Sequence, residues 1–275
     1  MPLSVPAPVR RPARLRSLSA LNLQRLVCAA VLTAMACWAG TASAAPEEIQ
    51  VYLDDTSAPG ASGVDVHNNY VFRGTKVPGY AGEQPPFHVY RLTPEFYYGL
   101  TDTLQAGLYV LTTRPSGGDA HVDGVKARIK YIAPHDKEQG VFMGVNLEVG
   151  RTSLRVSPTP WNAELKGILG YRTGPWLVAV NPNIDWSLSP RGGPVTFGID
   201  AKLAYAINGK TQIGLETYNE LGPIAHLDAL SANGKYVFAV MDREFEHFNL
   251  NIGLGKGVTR EADRWLLKFI VGTHF

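Results

Sequence analysis

The sequence is poor in cysteine, with two in 275 residues, Cys28 and Cys37. Both lie in a stretch that also lacks acid: residues 1–44 carry Arg10, Arg11, Arg14, Arg16 and Arg25 but no Asp or Glu. Charged residues make up 18% of the chain, below the roughly 25% usual in soluble domains. After residue 44 no apolar run approaches the ~20 residues of a membrane-crossing helix, and no extended stretch keeps helical spacing. There is no G-x-y or heptad period, so collagen-like and coiled-coil folds are excluded. P-loop, GxGxxG, CxxC and G-x-S-x-G patterns are missing as well, which leaves phosphate-cradling, dinucleotide, thiol and serine-elbow chemistry without a motif.

What is present begins with an export signal. The basic residues precede an apolar stretch from Leu26 to Gly40 and then Ala42-Ser43-Ala44. A basic start, a short apolar core and an A-x-A exit define a secretory signal, with cleavage expected between Ala44 and Ala45. Pro-Ala-Arg after Arg10-Arg11 argues against a twin-arginine signal. Ala34-Met35-Ala36 lacks the branched aliphatic residue expected ahead of a lipid-attached Cys37. Cleavage removes five of the 26 basic residues and none of the 24 acidic ones, so the net charge moves from +2 to −3. Both cysteines leave with the signal. The exported protein is then held by no disulfide, and its charge offers no basic surface for nucleic acid.

The remaining residues alternate at period two, the signature of strands with unlike faces. Trp265, Leu267, Phe269, Val271, Thr273 and Phe275 share one face, opposite Leu266, Lys268, Ile270, Gly272 and His274. Val125, Ala127, Ile129 and Tyr131 oppose Lys126, Arg128 and Lys130. The pattern predicts about twelve strands, at 63–73, 88–98, 104–113, 122–133, 140–151, 161–172, 176–188, 196–207, 211–219, 236–245, 247–256 and 264–275. Short connections, including the hairpin signal Asn208-Gly209, alternate with long ones rich in Gly, Pro, Ser and Asp. Short turns on one rim, long loops on the other and an even strand count describe a transmembrane up-and-down antiparallel barrel. Aromatics near strand ends (Trp161 and Tyr171, Trp176 and Trp186, Trp265 and Phe275) fit two interfacial girdles. The expected organisation is all-β: a signal peptide over 1–44, a periplasmic or lumenal segment over 45–62, and an outer-membrane barrel over 63–275. A secreted β-sandwich is the rival, but it would bury ions in a dry core at prohibitive cost.

A final Phe275 preceded by alternating apolar residues resembles the terminal signal of outer-membrane proteins handled by the bacterial assembly machinery. Leu92-Thr-Pro-Glu-Phe-Tyr-Tyr-Gly-Leu-Thr-Asp-Thr-Leu-Gln-Ala-Gly-Leu108 and Trp161-Asn-Ala-Glu-Leu-Lys-Gly-Ile-Leu-Gly170 resemble Gram-negative barrels grouped with the phenol meta-pathway outer-membrane proteins, loosely described as transporters. The resemblance implies residence in the outer membrane among its lipids, and passage of a small solute.

The polar strand faces supply the candidate site. Arg91, Lys126, Arg128, Lys130, Lys166 and Lys202 are expected to line a lumen with Glu95, Glu148, Glu164, Asp185, Asp200 and Glu216. There they either form a transverse field that orients a solute or pair with one another and fill the space, since twelve strands enclose much less than the 16–18 of open porins. Three functions follow: a passive channel for small solutes, hydrophobic or aromatic ones included; a non-conducting barrel whose outer loops bind a ligand; and a rim hydrolase built on His88 or on the Asp119, His121, Asp123 cluster. The sequence points to the first, with no catalytic role, cofactor or metal. Glu47–Gly60 alternates briefly through Ile49, Val51 and Leu53, and is read as lying under the barrel or threading it.

Overall fold

The computed structural model describes residues 48–190, 192–229 and 232–275. The expected signal peptide and its Ala44–Ala45 junction lie outside the described residues. The rest forms twelve strands: β1 (Ser62–Arg73), β2 (Tyr90–Gly99), β3 (Leu104–Arg114), β4 (His121–Ile132), β5 (Gly140–Thr152), β6 (Trp161–Thr173), β7 (Trp176–Ser187), β8 (Thr196–Asn208), β9 (Thr211–Pro223), β10 (Lys235–Glu244), β11 (Asn249–Gly257) and β12 (Trp265–His274). Each pairs antiparallel with its sequence neighbours, and β1 pairs with β12 to close the barrel. On one rim the connections are 100–103, 133–139, 174–175, 209–210 and 245–248; on the other they run from six residues (115–120) to sixteen (74–89). By the usual asymmetry of these barrels the short turns are periplasmic.

The alternation becomes an inside-out distribution of polarity. On β5, Val141, Met143, Val145, Leu147 and Val149 are exposed on the outer surface, while Phe142, Asn146 and Glu148 are buried within. The same holds for outward Leu203, Tyr205, Ile213 and Leu215 against inward Lys202 and Glu216 on β8 and β9. So broad an apolar belt has no place in water; lipid is the solvent that matches it, and a closed sheet leaves no unpaired edge in that solvent. The protein is an outer-membrane β-barrel. Trp176 and Tyr205 pack edge to face at 4.9 Å on the outer surface at the periplasmic end, as an interfacial girdle requires.

Two local features depart from the sequence pattern. β9 runs to Pro223 rather than ending at 219, because a bulge at Phe197/Gly198 lets Gly222 and Pro223 pair with the start of β8. His88, expected in a strand, precedes β2 with a left-handed φ of 54°, and its Nδ1 meets the Tyr70 hydroxyl at 2.7 Å.

Glycine fixes several inward contacts. Phe142 stands directly opposite Gly170, and a Cβ at Gly170 would fall inside its ring. Arg128 stands opposite Gly107 and lies across the space a side chain would fill. At the β1–β12 seam, the Tyr97 hydroxyl reaches from β2 over β1 to donate to the Thr273 carbonyl (3.2 Å) and to meet His274 Nδ1 (3.0 Å).

Candidate functional site in the lumen

All twelve charged residues singled out from the sequence sit on the inner wall. Cross-wall ion pairs join most of them. The Arg128 guanidinium arches over Gly107 to Glu95, whose other oxygen meets His67 Nε2 at 3.3 Å. Lys126 lies 3.9 Å from Glu148. Lys166 bridges Glu164 at 3.2 Å and Asp200 at 3.4 Å. Lys202 bridges Glu216 at 3.1 Å and Asp242 at 2.7 Å. Asp185 follows in register with Glu164. Lys268, on the polar face of β12, shares Glu216 and donates to the Tyr218 hydroxyl at 3.1 Å. Such pairing offsets the desolvation each ion suffers in a narrow lumen, and removing one partner exposes that cost.

The stretch before β1 enters this network from the periplasmic end. Residues 49–55 take part in no strand ladder, yet Ile49, Val51 and Tyr52 are buried. Asn181 on β7 holds the Tyr52 backbone as a strand neighbour would: its Oδ1 accepts from the Tyr52 N–H (2.6 Å) and its Nδ2 donates to the Tyr52 carbonyl (3.1 Å). The Tyr52 hydroxyl donates to Glu148 (3.0 Å) and meets the Tyr109 hydroxyl (2.7 Å). Lys268 Nζ donates to the Ile49 carbonyl (3.0 Å). Lower down, Asp54 pairs with Arg172 and with His135 Nε2 (2.7 Å), and Asp55 with Lys130 (2.7 Å). Burial works to raise the Asp54 carboxyl, but the Arg172 guanidinium and His135 overcome it and hold the group below its ordinary range. The segment therefore threads the lumen and turns at the periplasmic rim into β1.

Beside it remains a cavity of about 430 Å³, bounded by Gln50, Val51, Leu53 and Asp55 of the segment, by residues of β8 to β12, and by Asp65, Tyr97, Gln105, Arg172 and Leu177 of other strands. Tyr52, Asp54, Asp55, Asn181, Arg172 and Lys268 escaped selection from sequence. Only Lys268 carried a signal there, as an inward charge on the clearest alternating strand.

Two of the other sequence candidates, His88 and Asp123, have structural partners. Asp123 accepts from Ser153 Oγ and Arg155 Nε, each at 2.8 Å, so this member of the proposed acid–histidine cluster anchors a loop. Among the described residues no group of three or more His, Cys, Asp or Glu is placed to hold a metal ion. Phe275 is exposed, with its N–H donating to the Ser62 carbonyl at the seam.

A scan of protein-family models and a search of curated proteins returned no match. Solved structures do share the fold. An outer-membrane channel from Pseudomonas putida F1 is 13% identical, with 83% of this chain and 100% of that one aligned and a TM-score of 0.57. The NanC porin is 14% identical over 77% of this chain and 98% of its own, with a TM-score of 0.50. At such identities the likeness is one of architecture.

Proposed function

We propose that this barrel is a passive outer-membrane channel for small solutes, narrowed by its own N-terminal segment. The observation that carries the reading is the manner of plugging. The segment is held by side-chain contacts alone, in a polar lumen that retains open volume beside it. A plug outside the sheet ladder can shift without breaking the barrel. The two fold relatives, described as a channel and a porin, are consistent with this use of the architecture. Aromatic solutes fit the wall chemistry, because Tyr109, Phe142, Tyr218 and Phe238 present buried rings to the lumen. The apparent abundance of charge does not oppose this, since the ions are largely neutralised by one another.

Planar-bilayer recording of the full mature chain and of a variant lacking residues 48–57 tests the proposal. The full chain is expected to conduct weakly and the shortened chain several-fold more. The non-conducting alternative draws on the same ion pairs, which fill much of the lumen. Silence from both proteins, each shown to be folded by heat-modifiable migration on a gel, would establish that alternative instead.

A further inference from the structure

In the periplasmic half of the lumen the buried cations are paired, but not every carboxylate is. Asp65, on the inner face of β1, bounds the cavity beside the threaded segment and is only partly buried. It joins no ion pair and no side-chain hydrogen bond among the described residues. The charged groups that share its surroundings are Glu95, His67, Asp55 and Arg128. Both His67 and Arg128 turn to Glu95, and Asp55 is taken by Lys130. Of the cations that bound the same cavity, Lys202 is held by Glu216 and Asp242, and Arg172 by Asp54. Arg243 stacks on Phe245 at 5.1 Å, and Lys210 stands in an exposed turn at the rim.

The cavity wall around Asp65 is short of donors. The Asp65 carboxylate leans across Gly272, its partner on β12, where a Cβ would fall on Oδ1. On β11 beyond it, Asn251 donates its Nδ2 to Asp242 (2.6 Å), which leaves its Oδ1 as a buried acceptor without a donor. Gln105, 3% exposed, and Gln50 carry amide oxygens in the same state, and both bound this cavity. Unsatisfied buried acceptors of this kind mark a missing partner. Val51, Leu53 and Ile270 give the cavity an apolar side.

A cation that brings several N–H groups completes such a wall, because an ammonium donates up to three charge-assisted hydrogen bonds. A divalent metal ion asks for six or more close ligands, and among the described residues no group of three or more His, Cys, Asp or Glu is placed to hold one. A volume of about 430 Å³ with an apolar side has room for an organic body. We propose that the cavity between Asp65 and the threaded segment binds small organic ammonium ions, with Asp65 as counter-charge and Leu53 and Ile270 against the hydrocarbon. The inference deepens the channel reading by naming a solute class and rests on it for a role in passage, while binding itself is measured without conduction.

Benzylammonium is the probe. Isothermal titration of the full mature chain, folded in detergent at neutral pH, is expected to show saturable binding. Asp65→Asn should weaken it at least tenfold, and Asp65→Glu, which keeps the charge, only a few-fold. Leu53→Ser, which removes apolar wall and no charge, should weaken it several-fold. Glu138→Gln removes an equal charge from a periplasmic turn and should leave binding unchanged. Benzyl alcohol, the same ring without the charge, should bind at least tenfold more weakly. Heat-modifiable migration on a gel shows that each variant is folded. Absent saturation, unchanged binding in Asp65→Asn, an equal loss in Glu138→Gln, or equal binding of benzyl alcohol would overturn the site. Potassium displacing benzylammonium at equal concentration would overturn the organic-ammonium assignment. If bilayers are silent while benzylammonium binds through Asp65, the channel reading fails and the site stands. If the barrel conducts and benzylammonium does not bind, the site fails and the channel reading stands.

Discussion

The periplasmic and outer halves of the lumen are built from the same alternating strands and reach opposite electrostatic ends. In the periplasmic half each cation finds a carboxylate, and the threaded segment contributes two of them, Asp54 and Asp55. In the outer half the Arg91 guanidinium is buried with no hydrogen-bond acceptor among the described residues. The alternation that turns charges inward does not by itself neutralise them. Neutralisation needs register, room and, here, a segment from outside the sheet. Where those are supplied the lumen is packed and self-satisfied; where they are not, a buried charge is left without a close partner.

Substitutions on the two sides should separate these states. The largest contrast is expected between Glu216→Gln and Arg91→Met. Glu216 serves both Lys202 and Lys268, and stripping a partner from buried ions costs ~3–5 kcal/mol. Arg91→Met removes an uncompensated charge and should leave stability unchanged or raise it. Urea unfolding midpoints in lipid vesicles read both, and equal destabilisation would erase the distinction between the halves. Next, Gly170→Val drives a side chain into the Phe142 ring, an overpacking worth ~1–3 kcal/mol. Pairing it with Phe142→Ala should recover most of that loss, and failure to recover would show that the glycine is needed for some other reason. Asn181→Ala removes both hydrogen bonds to the Tyr52 backbone. At ~0.5–1.5 kcal/mol each, its clearest sign is faster hydrogen exchange at the Tyr52 amide with the strand amides unmoved.

The smallest effect is one of pH. Because Asp54 is held below its ordinary value of 3.8, its contribution to docking is complete above that value and is lost as pH falls through the lowered one. Conductance should rise on acidification only under about pH 4, and Asp54→Asn should abolish the response. A rise beginning near pH 6 would place the responsible group elsewhere.

The strands were legible because each is an independent local record of two unlike faces. β5 announces itself in thirteen residues, with no knowledge of its partners. The alternation ends β9 at 219 because Leu221-Gly222-Pro223 carries none, and the pairing of those residues depends on a bulge in β8. The inward charges were equally legible, as the polar members of each alternation. Their partners were legible only in part. Lys202 and Glu216 are directly opposed in a hairpin, but a bulge at Ala206/Asn208 separates the tight turn from that pair, so the turn alone would have set them one residue out of register. Arg128 and Glu95 meet across an intervening strand, and only because Gly107 yields the space. The threaded segment was the least legible feature. Ile49, Val51 and Leu53 mark it as able to pack, but the residues that receive it, Asn181 and Glu148, lie 129 and 96 positions from Tyr52. Arg91 entered the candidate set as one charge among twelve, and its isolation emerges only from the three-dimensional positions of all the others.

Eleven of the twelve ladders join strands adjacent in sequence, and only β1 with β12 joins distant ones. Building the wall is therefore a succession of inexpensive local steps followed by a single long-range one, whose closure entropy grows with the chain between its ends. Tyr97 spans that last joint, gripping Thr273 and His274 from β2. It reinforces from the neighbouring strand the one seam in an otherwise sequence-local wall. That phenol adds to the ladder of ten residue pairs between β1 and β12, which supplies most of the hold once the barrel has closed.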